Sequence, residues 1–96
     1  MTKQRFYQGT MVNGDLFDGP EYEGWVFIEW LYPGQNKVRA IKDVKRIEAQ
    51  IRQENMKGWI ANSELDHTVM HGILAKMGAD LYGRDEHNLH FKKEVR

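Results

Sequence analysis

Glu29 is the only charged residue in the apolar segment at residues 25–31. A carboxylate among Trp, Phe and Ile side chains loses hydration, and this loss raises its pKa towards the range in which a carboxyl group exchanges protons with a substrate. Glu29 is therefore a candidate general base. An ion pair with a helix Lys or Arg, or exposure at a strand edge, would explain the same residue without any chemistry.

A second group of candidate residues lies where a predicted helix begins, at residues 35–40. The first N–H groups of a helix have no partner within it and lie at the positive end of its dipole, so anions such as phosphate bind there. Lys37 and Arg39 add two positive charges. The segment is a candidate site for a phosphate-bearing ligand. In the alternative interpretation, Val38 begins the apolar face of the helix and both cations are solvated.

His67 and His71 are four residues apart, a spacing that places both imidazoles on one face of a helix. Two ligands do not make a zinc site, and no Glu follows the first His as in a His-Glu-x-x-His motif. The chain has no Cys, which removes thiolate ligands and disulfides. We therefore expect no metal site, and we expect both rings to face solvent.

A mixed sheet with two helices must position these candidates. Residues 25–31 predict a central strand buried on both faces. Apolar residues then recur every three or four positions from residue 37 to about residue 55, which predicts an amphipathic helix. Trp59 opens the next strand. A strand, a helix and a second strand predict a right-handed crossover between parallel strands.

The two ends of the chain predict hairpins. In the N-terminal half, Asn13-Gly14-Asp15 is a turn signal after the β-prone residues 5–12. In the C-terminal half, Asp66 is a candidate N-cap for a helix that Gly78 would end. Two strands follow, at residues 79–82 and 88–95, with Leu89 and Phe91 facing the same way.

The composition is typical of one folded domain covering residues 1–96, with 41% hydrophobic and 29% charged residues. Fourteen basic residues oppose fourteen acidic ones, and this balance argues against a dominant role in nucleic-acid binding. The longest apolar run is far shorter than the ~20 residues of a membrane-spanning helix, and no signal peptide is evident. We expect a protein that acts in the cytoplasm.

The order of elements over residues 24–95 resembles the GNAT superfamily of N-acetyltransferases. Its clearest motif is Lys76-Met77-Gly78-Ala79, which is similar to the Lys-Leu-Gly-Phe sequence that ends the last helix in that superfamily. The resemblance implies an α+β class with a reduced GNAT-like fold, a mixed β-sheet and two main helices. The chain is also similar to short GNAT-like proteins of tailed bacteriophages, including internal virion proteins.

The resemblance also implies a site for acetyl-CoA, which in the superfamily lies where two parallel strands splay apart. Its pyrophosphate rests on a Gln/Arg-x-x-Gly-x-Gly/Ala turn, and the strand from Trp59 to Asn62 would line the pantetheine channel. Glu29 would be the general base for the acceptor amine. The residues that align with the turn are Gln35, Asn36, Lys37, Val38, Arg39 and Ala40.

Three departures put acyl transfer in doubt. Val38 replaces the central glycine of the turn, and its branched side chain would crowd a pyrophosphate. Leu74 replaces the tyrosine that protonates the leaving thiolate in many superfamily members, so that role must be empty or filled by Tyr82 or His71. The two helices that form the acceptor side of the family's cleft are not evident before Gly24.

These departures favour a small, phage-type, catalytically degenerate GNAT-like protein, a pseudo-enzyme that acts by binding a host factor or a virion subunit, as in host takeover. A second copy of the chain, in a homodimer, could complete the cleft. The location would be the host cytoplasm or the virion. The alternative is an acetyl-CoA-dependent N-acetyltransferase that modifies a protein or a small amine.

Overall fold

A computed structural model describes residues 2–32 and 36–96 of the chain. In this part of the chain, six strands form one sheet in the order β1-β2-β3-β4-β6-β5, with two α-helices. The elements are β1 (Lys3–Gln8), β2 (Val12–Phe17), β3 (Trp25–Trp30), α1 (Lys37–Gln53), β4 (Gly58–Glu64), α2 (Thr68–Lys76), β5 (Asp80–Arg84) and β6 (Asn88–Glu94), with a 3-10 turn at Pro20–Tyr22. Among the strands of the described residues, only β3 and β4 pair in parallel. The predicted α+β class, with a mixed sheet and two main helices, is confirmed.

The N-terminal hairpin turns earlier than the sequence predicted. Residues 9–11 connect β1 to β2, so the Asn13-Gly14-Asp15 signal lies inside β2. Asn13 closes the turn from within the strand, since its Oδ1 accepts a hydrogen bond from Gly9 N at 3.1 Å. Gly14 is required by packing, because a Cβ there would approach the Val26 side chain to 2.9 Å. The turn prediction was wrong because both residues serve the strand.

Helix α1 forms as predicted and lays Val44, Ile47 and Ile51 on the sheet, where each is at most 1% exposed. Asn55 ends the helix in a left-handed conformation (φ 57°). Met56 N donates to Ile51 O at 2.9 Å, which is the characteristic long bond of a Schellman motif. The apolar periodicity thus predicted the helix, and the left-handed Asn55 ends it.

Helix α2 begins one residue later than the capping signal predicted. Its N-cap is His67, whose side chain makes no capping bond, so Asp66 is not the cap. Its end is as predicted. Gly78 has a φ of 87°, and Ala79 N donates to Leu74 O at 3.0 Å, which again forms a Schellman motif.

Both α-helices pack on the same side of the sheet, called here the helix face. Val26 and Ile28 of β3 lie on this face, in one cluster with residues of α1 and α2. Trp25 and Phe27 alternate to the other side, called here the open face. β3 is central, between β2 and β4, as predicted. It is not buried on both faces, because no α-helix of the described residues covers the open face.

Neither helix of the described residues is long and apolar enough to cross a membrane.

Candidate functional site

The parallel strands β3 and β4 separate towards their C-terminal ends. They pair at three positions, the last of which joins Phe27 to Ile60, although both strands continue beyond it. Two residues further on, the register places Glu29 and Asn62 on either side of the gap. Both lie on the open face, because side chains alternate along a strand. Strand pairing that ends at this point is the feature that the family resemblance implies.

Trp30 lies across this gap. It follows Glu29 on β3 and belongs to the helix face, where it pairs with Val12 of β2. Its indole Nε1 donates a hydrogen bond to the backbone carbonyl of Asn62 on β4, at 3.1 Å. The indole therefore links the two strands at the level where their backbone pairing has already ended.

Two cavities lie on either side of Trp30 and Met70. The first, the inter-helix cleft, is apolar and is also lined by Met11, Lys37, Ala40 and residues of α2, and it holds only about 10 Å³. This is the space of one water molecule at most. The second, the mouth pocket, has about 390 Å³ and is also lined by Asn62, Ser63, Glu64 and His67. Trp30 and Met70 line both.

The N-terminus of α1 is the predicted phosphate site. One of its free N–H groups is already bonded to the side chain of the N-cap residue, Asn36. Asn36 takes a left-handed conformation (φ 40°), and its Oδ1 accepts from Arg39 N at 3.2 Å. Val38 is 66% exposed. The interpretation that it begins the apolar face of α1 is therefore wrong. Gln35 lies outside the described residues.

A groove between α1 and α2 carries a basic rim. Its floor is apolar, formed by Ile41, Ile73 and Met77, and its volume is about 450 Å³. Four lysines line it: Lys37, Lys45, Lys76 and Lys93. Lys93 is partly neutralised, since its Nζ lies 2.8 Å from Glu48 Oε2. Sequence reasoning missed this groove because its lysines come from α1, α2 and β6, which only the fold brings together.

Glu29 lies at the gap, but its pKa is shifted in the direction opposite to the predicted one. Its pKa is lowered, chiefly by a hydrogen bond from Asp15 and further by Lys3 and Arg5, against a desolvation that raises it. Lys3 Nζ lies 3.5 Å from Glu29 Oε2. The expected raised pKa is wrong, because the residue is 40% exposed and has charged neighbours. Those cations come from β1 and not from a helix.

Asp15 is the titratable residue at this point that sequence reasoning missed. Its side chain is 4% exposed, and burial raises its pKa, helped by the hydrogen bond that its protonated carboxyl donates to Glu29. Arg5 Nε donates to Asp15 Oδ1 at 2.7 Å and limits the rise. The pairing of β2 with β3 brings the two carboxyls together, and this contact depends on the strand register, which the sequence alone does not give.

A second polar chain crosses the open face from Asn62. Asn62 Oδ1 lies 2.6 Å from His90 Nδ1, and His90 Nε2 lies 2.8 Å from Asp85 Oδ2. Asp85 also accepts from His87 N and Asn88 N, and these two bonds lower its pKa. The Asn62 side chain is thus held on the open face, while its carbonyl binds Trp30.

The position of the family's tyrosine acid is closed. Leu74 is fully buried in the core and has no exposed surface. The first substitute, Tyr82, lies on β5 beside His90 on the open face, and burial raises its pKa further above 10.0. The second, His71, has its Nε2 2.8 Å from the Glu64 carbonyl. In the described residues, no three His, Asp or Glu side chains converge as metal ligands.

Three solved structures are similar to this fold. YncA of Salmonella typhimurium, described as an acetyltransferase and solved with its cofactor acetyl-CoA, superposes on 90% of the chain with a TM-score of 0.68 at 12% identity. The chain has a GNAT-like fold. A Klebsiella pneumoniae protein described as an acyl-CoA N-acyltransferase gives a TM-score of 0.65 over 90% of the chain at 14% identity. A GNAT-family protein of Desulfovibrio desulfuricans, described as an acetyltransferase, gives 0.67 over 90% of the chain at 12% identity.

The chain spans 58%, 64% and 62% of the length of these three proteins, respectively. No protein-family model matches the sequence. No curated protein matches it either. The likeness therefore concerns the fold alone.

Proposed function

We propose that this GNAT-fold protein has lost efficient acyl transfer and acts by binding another protein. The observation that carries the proposal is the Trp30 indole, which bridges β3 and β4 where acyl-coenzyme A would enter. Three further features support it: the exposed Val38 at the helix N-terminus, the buried Leu74 in place of an acid, and the lowered pKa of Glu29.

The open face is the proposed binding surface. Phe17, Tyr22 and Phe27 form an aromatic cluster there, with ring centroids 4.8 to 6.3 Å apart, and Phe27 packs edge-to-face against each of the other two rings. Beside it, Lys92 Nζ lies 5.7 Å from the Trp25 ring and 5.1 Å from the Tyr82 ring. Partly exposed aromatic rings with a charged rim are typical of protein interfaces.

The partner in this proposal is a host factor or a virion subunit of a phage, encountered in the host cytoplasm or the virion. The phage assignment rests on the resemblance to short phage proteins alone. A second copy of the chain is the other partner that would cover the open face, and light scattering on the purified protein separates a dimer from a monomer.

Titration with acetyl-CoA, followed by calorimetry and by thermal shift, tests whether the chain has lost cofactor binding, the first step of acyl transfer. A specific ligand must stabilise the folded state, so a closed cleft predicts no saturable shift in Tm. Saturable binding together with turnover of an amine acceptor would show that the pseudo-enzyme proposal is wrong.

The second candidate function is an acetyl-CoA-dependent N-acetyltransferase. Two features of the structure favour it. The carboxyls of Asp15 and Glu29 lie together at the gap, and four lysines line the groove between the helices. In that case Lys37 and Arg39 would hold phosphates and Glu29 would take the proton from the amine. Glu29→Gln would then abolish most turnover, whereas unchanged turnover would remove Glu29 from the role of base.

A further inference from the structure

We propose that copies of this chain associate head to tail, with an acidic loop of one copy bound in a basic groove of the next. The basic groove is the one between α1 and α2, and the acidic loop is residues 18–23, which lie between β2 and β3. The inference goes beyond the proposed function, because it uses neither the gap between β3 and β4 nor the open face as the contact.

The first argument is the uncompensated positive charge of the basic groove. Lys37 and Lys45 lie eight residues apart on α1, about 12 Å along the helix axis, and Lys76 lines the same groove from α2. All three side chains are exposed, and within residues 2–32 and 36–96 none of them is in an ion pair. Lys93, by contrast, is paired with Glu48. The groove is therefore suited to an occupant with several negative charges.

The second argument is the opposite charge of the acidic loop. The loop carries three exposed carboxylates, those of Asp18, Glu21 and Glu23. None of them is in an ion pair in the part of the chain that the structure describes. The loop is also held in one shape, since Tyr22 N donates to Gly19 O at 3.1 Å and the Tyr22 ring packs on Phe27. A loop that is already ordered loses little conformational entropy when it binds.

The third argument is an apolar match between the two surfaces. The floor of the basic groove is formed by Ile41, Ile73 and Met77. Pro20 is exposed and lies between two of the loop's carboxylates in the sequence, so its ring is an apolar group with acidic neighbours. An apolar centre with a polar rim is typical of protein interfaces. A nucleic-acid backbone would offer the lysines its phosphates but would leave the floor uncovered.

The fourth argument is that one chain cannot make this contact with itself. The acidic loop packs through Tyr22 against Phe27 on the open face, whereas the basic groove lies on the helix face. The contact therefore joins two different surfaces of two copies, and such contacts build rings or open filaments. The chain has a formal net charge of zero at pH 7, so no overall repulsion keeps the copies apart.

The test is sedimentation velocity of the full chain at increasing protein concentration. It is run in about 0.01 M and in about 1 M salt, where charges are screened over about 30 Å and about 3 Å. We expect species larger than a dimer at low salt and a monomer at high salt. Lys45→Glu combined with Lys76→Glu should weaken the low-salt association at least about tenfold, because like charges would then face each other.

A charge swap within one chain sharpens the test. Glu21→Lys and Glu23→Lys, added to the two groove substitutions, return the net charge to zero and should restore the association. Lys42→Glu combined with Arg84→Glu is the matched control. It changes the net charge as much as the groove substitutions do, but outside the groove, and should weaken the association far less.

Circular dichroism and thermal unfolding check that each variant is folded, and alanine replaces glutamate at both groove positions if the reversed chain is not. A wild type that stays monomeric at low salt would overturn the inference. So would an association that the groove substitutions leave unchanged, or that the charge swap does not restore. Binding of polyglutamate or of a single-stranded oligonucleotide by the same lysines of a monomeric chain would give the groove another occupant and overturn it too. Acetyl-CoA titration tests the proposed function separately from all of these outcomes.

Discussion

Carboxylates on the two faces of the sheet have different surroundings. On the helix face, Glu48 is buried but fully engaged: it accepts from Trp59 Nε1 at 2.8 Å and from Lys93 Nζ at 2.8 Å. On the open face, the carboxyls of Asp15 and Glu29 shift each other's pKa in opposite directions: that of Asp15 is raised and that of Glu29 is lowered. Satisfied buried charges stabilise one arrangement of the fold, whereas crowded like charges do so poorly. The comparison places stability on the helix face, opposite the open face that carries the proposed binding surface.

The largest expected effect contrasts one tryptophan from each face. Trp59 has no exposed surface, so Trp59→Ala should lower the free energy of unfolding by about 3–5 kcal/mol. Trp25 is half-buried, so folding removes less of its apolar surface from water. Trp25→Ala should therefore lower the free energy of unfolding by roughly half of that amount or less. Urea unfolding measures both. Equal costs would break the division between a stabilising face and a binding face.

An intermediate effect is expected at Asp43, which ties α1 to the N-terminal hairpin. Its Oδ2 accepts from Met11 N at 2.9 Å and from Val12 N at 3.1 Å. Asp43→Ala leaves both N–H groups without this acceptor and should cost about 1.5–3 kcal/mol in urea unfolding.

Arg46→Ala is the control for Asp43. Its guanidinium lies 3.9 Å from the same carboxylate, but the Arg side chain is 68% exposed, so the loss should stay below about 1 kcal/mol. If Arg46→Ala costs as much as Asp43→Ala, the ion pair and not the backbone bonds holds the hairpin.

The smallest effect is expected at Glu29 on the open face. Its lowered pKa contributes stability above the unfolded value of 4.5, and this contribution is lost as pH falls through the folded pKa. Asp15 acts in the opposite sense: its raised pKa favours folding below 3.8, and that contribution is lost as pH rises through its folded pKa. Glu29→Gln should therefore change the free energy of unfolding at pH 7 by less than about 1 kcal/mol, since the side chain is exposed to solvent.

The sharper readout of Glu29→Gln is the titration of Asp15. Removal of the neighbouring carboxylate takes away one cause of the raised pKa, so the Asp15 pKa should fall. Carbon NMR shifts of the Asp15 carboxyl, followed against pH in both proteins, measure this. An unchanged Asp15 titration would mean that the two carboxyls do not interact.

The sequence predicted the elements whose signals are local. The apolar periodicity of α1, the glycine stop at Gly78 and the crossover from β3 to β4 are all as expected. The failures have a common cause. Asn13 and Gly14 were read as a turn because their strand roles depend on partners in other elements, and Glu29 was given the wrong pKa direction because Lys3, Arg5 and Asp15 reach it across strands.

By itself, the sequence determined the order of the elements, most of the apolar face of α1 and the residues that depart from an acyltransferase, Val38 and Leu74. Those properties follow from side-chain type and spacing along the chain. Only the tertiary structure decided that both helices lie on one face, that Trp30 spans the gap between β3 and β4, and that Asp15 meets Glu29. These depend on strand register and on contacts between residues distant in the chain, because a side chain's surroundings, and hence its pKa and its role, are fixed when the sheet assembles.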